Sequence, residues 1–240
     1  MNKNNVVIMV PSYNEGDIIN LICDNINKLN PLYSILVFDD GSNNVFKPNK
    51  IFKNLFIFNT KVNYGLGLTT NIAINFMLKN KFDFLVRIDG DNQHPIDNIP
   101  KLIDKLMNGS DFCIGTRVNA DTGFTIRQKL NKYIKRYFNF MAKFLISKKI
   151  PNDLSTGFMA FNQKSAMYLS SQVLDRYPEP EIIMLLTIKK FNVNEILIKQ
   201  LPRKHGVSSI RYFRGILLLY KFNVFLVTNF LSKVINSCKL

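Results

Sequence analysis

The chain has 240 residues, enough for one large domain with a full core, and its 47% apolar content excludes a disordered or fibrous protein. Its formal charge of +15 points to an acidic partner: anionic lipid, nucleic acid or a phosphorylated substrate. Part of that excess is a general Lys- and Asn-rich bias.

Val6 to Val10 reads as a first buried strand, leading into a turn at Pro11-Ser12-Tyr13-Asn14-Glu15. Asp17 to Leu29 has helical periodicity. Ile35 to Phe38 is a second strand, ending in Asp39-Asp40-Gly41-Ser42. Asn43 to Asn54 is short and contains Pro48, so no full helix is expected there. Leu55 to Phe58 is a third strand. Asn63-Tyr64-Gly65-Leu66-Gly67 turns into a helix running to about Leu78. The apolar run Phe82 to Ile88 is a fourth strand. Pro95 is expected at the first position of a helix that continues over Ile96 to Met107, and Phe112 to Thr116 is a fifth strand.

The second half is more basic. Between Arg127 and Ile150, residues Ile134, Tyr137, Phe138, Met141 and Leu145 share one helical face amid many lysines. Such a helix either lies on a membrane surface or packs on the core with a solvated basic face. A strand ending at Phe161, a helix over Ile182 to Phe191 and a strand over Val193 to Ile198 follow. Tyr212 to Ile235 is apolar with isolated Arg214, Lys221 and Lys233, the pattern of interfacial helices. Apolar strands alternating with helices predict an α/β fold, a mostly parallel sheet with helices on both faces. Residues 1–211 form the expected domain, split into a 1–117 half and a 118–211 half, with 212–240 as an amphipathic tail.

Cys23, Cys113 and Cys238 are odd in number and widely spaced, so neither a disulfide framework nor a thiolate metal site is expected, and a reducing cytosol is. No signal peptide is expected, and the longest late uncharged run, Phe222 to Ser232, is well short of the ~20 residues a span needs.

The chemistry concentrates after the fourth strand, in Asp89-Gly90-Asp91-Asn92-Gln93-His94-Pro95. Asp89, Asp91 and Gln93 stand at the carboxyl end of a strand, where open α/β sheets bind ligands. Hard oxygen donors of this kind suit Mg²⁺ or Mn²⁺, and Mg²⁺ takes one or two carboxylates plus substrate phosphates. A solvated Asp-Gly-Asp turn is the plain alternative. Asp39 and Asp40 form a second acidic strand end, suited to a ribose hydroxyl or a base N–H. Gly65-Leu66-Gly67 is not the dinucleotide fingerprint, so its glycines are read as allowing close packing beside a nucleotide. His94 and His205 do not cluster with other ligating residues and are read as hydrogen-bonders at the edge of the site.

In order and spacing these motifs resemble the inverting family 2 glycosyltransferases, and within them the polyprenyl (dolichyl)-phosphate mannosyl- and glucosyltransferase branch. The resemblance runs from about Val6 to Ser209. It implies a GT-A type fold and a donor that is a UDP- or GDP-sugar. Pro11, Tyr13, Glu15, Asp40, Gly67, Asp89, Arg203 and Ser208 are then expected around the nucleotide sugar. Asp89, Asp91 and Gln93 match the D-x-D-x-Q metal motif. Arg117, in Gly115-Thr116-Arg117, and Arg127 fall where acceptor-site arginines are expected. Ser155-Thr156-Gly157-Phe158 resembles an S-G-F segment, with Ser155-Thr156 inverting a common order. Arg203, Gly206, Ser208 and Ser209 resemble an R-x-x-G-x-S loop. The acceptor implied is polyprenyl phosphate or a lipid-linked saccharide.

The nature of the acceptor decides whether a base is needed. A phosphate monoester arrives ionised and needs cations to hold it, the role of Arg117 and Arg127. A sugar hydroxyl needs a carboxylate base, for which Asp153 and Glu181 are candidates, though helix capping or a structural ion pair would also explain them. An anionic membrane surface is an expected partner, with a small membrane protein as a further one. The expected location is cytoplasmic, peripheral at the inner face of the plasma membrane. No nucleic-acid reading motif is present. The competing classes are a non-catalytic membrane-surface binder and a sugar nucleotidyltransferase, which would want a Gly-rich phosphate loop after the first strand.

Overall fold

The computed structural model describes residues 5–118, 136–137, 140–141, 150–201, 220, 223–224 and 227–228. Seven strands make one sheet: β1 (Val6–Ser12), β2 (Ser34–Asp39), β3 (Leu55–Asn59), β4 (Phe84–Arg87), β5 (Phe112–Arg117), β6 (Met159–Asn162) and β7 (Val193–Ile198). Their order is β3-β2-β1-β4-β6-β5-β7. β1 pairs in parallel with both β2 and β4, β2 with β3, and β5 with β7. β6 alone runs antiparallel, between β4 and β5.

Among the described residues, the helices that cover the sheet are α1 (Ile18–Leu29), α2 (Leu66–Lys79), α3 (Ile99–Met107), α4 (Gln163–Ser170) and α5 (Glu179–Ile188). The strand period of two sends alternate side chains to opposite faces. Val7, Met9, Leu36 and Phe38 face α2, α4 and α5 in one buried cluster. Val6, Ile8, Val10, Ile35 and Val37 face α1 and α3 in the other. This is why the central strands read as unbroken apolar runs. Edge strand β3 is the exception, exposed along most of its length.

Three expectations need correction. Pro95 is extended, with ψ of 101°, and does not open the helix. A short 3₁₀ turn, Ile96–Asn98, intervenes, and the proline in the first turn of α3 is Pro100. The helix expected from Ile182 begins at Glu179, whose fixed-φ neighbour Pro180 is favourable in a first turn. α4 was not expected: it has only 8 residues, capped by the Asn162 side chain accepting from the Ser165 N–H at 2.9 Å. Residues 43–54 contain no helix, as Pro48 led one to expect.

Residues 119–135, 142–149, 202–219 and 229–240 lie outside the described part. So do the expected roles of Arg127, Arg203, His205 and Ser208, and most of both amphipathic segments. The described residues there, Arg136, Tyr137, Phe140, Met141, Tyr220, Asn223, Val224, Val227 and Thr228, are helical. The Tyr137 hydroxyl donates to Asn223 Oδ1 at 2.5 Å, linking the two segments.

Candidate active site

The strand order fixes the site. β1 lies between β2 and β4, all three parallel, so their carboxyl-end turns stand side by side. The turn after β1 and the one after β2 are fastened together. Asn14 N–H donates to Ser42 Oγ at 2.8 Å, and Asn43 N–H donates to Asn14 Oδ1 at 2.9 Å. The turn after β4 packs against the turn after β1 at Gly90. A Cβ there would fall 2.3 Å from the Pro11 carbonyl oxygen and 3.4 Å from Glu15 Cγ. Gly90 is therefore required for close approach, while the left-handed position of the turn is Asn92, φ 55°. Tyr13 is half-exposed on the rim.

Asp39 and Asp40 are buried and engaged. Asp39 accepts from Ser42 N–H at 3.0 Å and Phe46 N–H at 2.6 Å. Asp40 accepts from Tyr64 N–H at 2.9 Å and Gly65 N–H at 2.7 Å, binding the β2 end to the start of α2. Gly67 packs on the 174–176 loop, where a Cβ would meet the Asp175 carbonyl at 1.9 Å.

The acidic turn is the electrostatic centre. Asp89 is partly exposed, and its two oxygens face different partners. Oδ2 accepts from His94 Nε2 at 2.9 Å, and Oδ1 lies 3.6 Å from Arg87 Nη2. Burial pushes the Asp89 carboxyl up. His94, Arg87 and Arg117 together outweigh that and hold it well below the usual carboxylate range, so it is ionised at neutral pH. His94 is buried and stacked on Phe158 at 5.1 Å, a deeper position than an edge hydrogen-bonder. Gly157, just ahead of β6, closes the other side: a Cβ would lie 2.2 Å from Asp89 Oδ1. Asp91 accepts from Gln93 N–H at 3.2 Å. Gln93 is the hinge to the next segment: its Nε2 donates to the Leu201 carbonyl, and its own carbonyl accepts from Leu201 N–H.

Arg117 ends β5 and grips Asp153 bidentately, Nε to Oδ2 at 2.5 Å and Nη2 to Oδ1 at 2.8 Å, with Nη2 also on Ser155. Burial lowers the Arg117 pKa, but Asp153, Asp89 and Glu179 raise it further, so the guanidinium stays charged. Glu181 accepts from Asp175 N–H at 2.9 Å.

Two residues of this centre escaped the sequence reading. Arg87 is wholly buried at the end of β4, bonded to Glu179 Oε1 and to Thr70 Oγ1. A lone Arg ending an apolar strand was the available signal, because a buried cation has to be paired. Its partner Glu179, 92 residues away, had none.

The donor set fits a hard divalent cation. Asp89 and Asp91 are carboxylates on one turn, Asp89 ionised and held open by the missing Cβ of Gly157. Among the described residues no cluster of three or more His, Cys, Asp or Glu side chains would by itself enclose a metal. Remaining positions on such an ion would fall to substrate phosphates and water, the usual arrangement for Mg²⁺.

A mostly parallel sheet carrying an Asp-x-Asp turn at its topological switch, with covering helices on both faces, is a fold of the GT-A type. The chain belongs to glycosyl transferase family 2, whose family profile matches residues 7–168. A UDP-N-acetylglucosamine–dolichyl-phosphate N-acetylglucosaminyltransferase of Methanococcus voltae is 23% identical over 240 residues, 92% of this chain and 93% of that protein. A polyprenol monophosphomannose synthase of Mycolicibacterium smegmatis is 23% identical over 219 residues, 85% and 80% of the two chains. Among solved structures, glucosyl-3-phosphoglycerate synthase of Mycobacterium tuberculosis, crystallised with Mn²⁺, UDP and phosphoglyceric acid, superposes with a TM-score of 0.64 at 16% identity. That match covers 85% of this chain and 72% of the other. The enzyme is thus a glycosyltransferase similar to polyprenyl-phosphate sugar transferases.

Proposed function

We propose that this enzyme moves a sugar, with inversion, from a UDP- or GDP-sugar to a membrane-associated acceptor, and that the acceptor is polyprenyl phosphate. Residues 1–117 form the donor half and residues 118–211 the acceptor half. Pro11, Tyr13, Glu15, Asp40 and Gly67 shape the nucleotide pocket. Asp40 acts by fixing the Tyr64–Gly65 backbone, since both its oxygens already hold amides there. Asp89, Asp91 and Gln93 would hold Mg²⁺ or Mn²⁺, which when bound would supply Lewis-acid neutralisation of the leaving diphosphate. Arg203 and Ser208 close over the same diphosphate.

The observation that carries the choice of acceptor is the pairing of the candidate bases. Asp153 lies in the fork of Arg117, and Glu181 accepts the Asp175 amide. Neither is poised as a general base. A phosphate acceptor needs none: one of its oxygens attacks the anomeric carbon as the bond to the nucleoside diphosphate breaks. Arg117, held rigid by Asp153, and Arg127 supply the positive charge that receives it. The two relatives, a dolichyl-phosphate N-acetylglucosaminyltransferase and a polyprenol monophosphomannose synthase, support the same reading. Transfer to a hydroxyl of a lipid-linked saccharide, with Asp153 or Glu181 as base, is the second reading.

Exposed apolar side chains on the described helical residues, Phe140, Tyr220 and Val227, support contact with a bilayer. No helix among the described residues is long and apolar enough to cross a membrane. The contact proposed is peripheral, through amphipathic helices, at the cytoplasmic face of the plasma membrane or on a small membrane protein.

The test is a donor screen with Mg²⁺ or Mn²⁺, a panel of UDP- and GDP-sugars and purified polyprenyl phosphate. Nucleoside diphosphate release that requires both metal and polyprenyl phosphate is expected. Release that requires instead an oligosaccharide hydroxyl would replace this acceptor with the second reading.

A further inference from the structure

Each of the two arginines around Asp89 carries its own carboxylate. Arg117 has Asp153, and Arg87 has Glu179. The second pair is the more consequential. Arg87 Nη2 is shared between Glu179 Oε1, in direct hydrogen-bond contact, and Asp89 Oδ1 at 3.6 Å. The Arg87 side chain is wholly buried and that of Glu179 is 12% exposed, so water screens the pair poorly. Nη1 is fixed by Thr70 Oγ1 at 3.2 Å, which pins the guanidinium against α2.

We infer that Glu179 is a positioning residue for the cation site: by holding the charge of Arg87 it keeps Asp89 available to a divalent ion. This rests on the proposed role of Asp89 as a metal ligand. With Glu179 neutralised, Arg87 remains a buried cation that must find an anion. The nearest is Asp89, and a guanidinium fork matches a carboxylate closely. Asp89 Oδ1 would then close on Arg87 while Oδ2 stays with His94, and both oxygens would be withdrawn from the ion. Because Glu179 lies in the first turn of α5, an element from the second half of the chain tunes the turn after β4.

Mn²⁺ binding to the full chain, followed by loss of the free-ion electron paramagnetic resonance signal, tests this without turnover. Glu179→Gln is expected to weaken Mn²⁺ binding by about 10–100-fold, the usual effect of an outer-shell partner. Glu179→Asp, which keeps the charge, should restore part of that loss. The double variant Arg87→Met with Glu179→Gln removes both the competitor and its keeper, and should bind Mn²⁺ as the wild type does. Wild-type binding by a folded Glu179→Gln chain overturns the inference, as does a double variant as weak as Glu179→Gln alone. If Glu179→Gln does not fold, the double variant decides: wild-type affinity supports the inference and a loss of about tenfold or more overturns it. Absence of Mn²⁺ binding by the wild-type chain, with UDP or GDP also present to supply the phosphate oxygens, would overturn the metal reading itself, a result distinct from either.

Discussion

On the proposed reading, Asp91 serves the donor and Arg117 the acceptor. Asp91 is half-buried in the turn after β4 and accepts from Gln93 N–H at 3.2 Å. Asp91→Ala should lower kcat/KM by about a hundredfold or more, because charge stabilisation worth several kcal/mol is removed. Its melting temperature should match the wild type, and a fully active variant would remove the metal from the mechanism. Arg117 needs a gentler change, because Arg117→Ala would remove the guanidinium that balances the charge of the buried Asp153 carboxylate. Arg117→Lys keeps the charge and loses the fork. The acceptor KM should rise by about tenfold, the value of one charge-assisted hydrogen bond, while slow hydrolysis of the donor is unchanged. Equal loss of both rates would place Arg117 on the donor side.

At the scale of the element, Asp111 shows how the second half of the sheet is held together. It stands at the start of β5 and accepts from Asn192 N–H ahead of β7, from Lys164 of α4 and from Asn162 of β6, at 2.9, 2.9 and 3.2 Å. Burial raises its pKa, but those three partners outweigh it and the net shift is downward. A depressed carboxylate contributes stability that is complete above its unfolded value, near 3.8, and is lost as pH falls through the lower folded value. Asp111→Asn should cost about 1–3 kcal/mol at neutral pH, and the gap to the wild type should narrow as pH drops from about 5 to about 2. Thermal melts across that range check it; a constant gap would mean that packing, not charge, is what the substitution removes.

The same region shows what could be read in advance. The parallel strands were legible because burial on both faces forces unbroken apolar runs such as Val6–Val10 and Ile35–Phe38. The acidic turn was legible because Asp-Gly-Asp after such a run is itself a local pattern. The direction of β6 was not, since four residues, Met159–Asn162, carry no mark of which neighbours they will pair with. Helix α4 buries only Ser165, Ala166 and Leu169, too little for a periodic signal. The engagement of Asp40 with Tyr64 and Gly65, and of Arg87 with Glu179, depends on tertiary proximity between residues far apart in the chain, which no spacing rule anticipates.

For the whole molecule the dominant quantity is charge: 32 basic against 17 acidic residues. The cation site cannot be the reason, because a cationic surface would repel a metal ion; an anionic surface is what such an excess attracts. Each Lys or Arg within reach of an anionic leaflet contributes about 1 kcal/mol, an attraction confined to a Debye length of about 8 Å at physiological salt. The apolar stretch 212–240, with Arg214, Lys221, Lys233 and Lys239, would add hydrophobic insertion that salt does not screen. The two contributions predict different behaviour. The full chain should sediment with vesicles containing phosphatidylserine at low salt and be only partly released at about 1 M salt, where screening shortens to about 3 Å. A chain ending at residue 211 should be released completely, and phosphatidylcholine vesicles should retain neither strongly. Unchanged retention of the shortened chain at high salt would show that 212–240 is not what holds the enzyme to the vesicle, and would move the contact to the sheet domain itself.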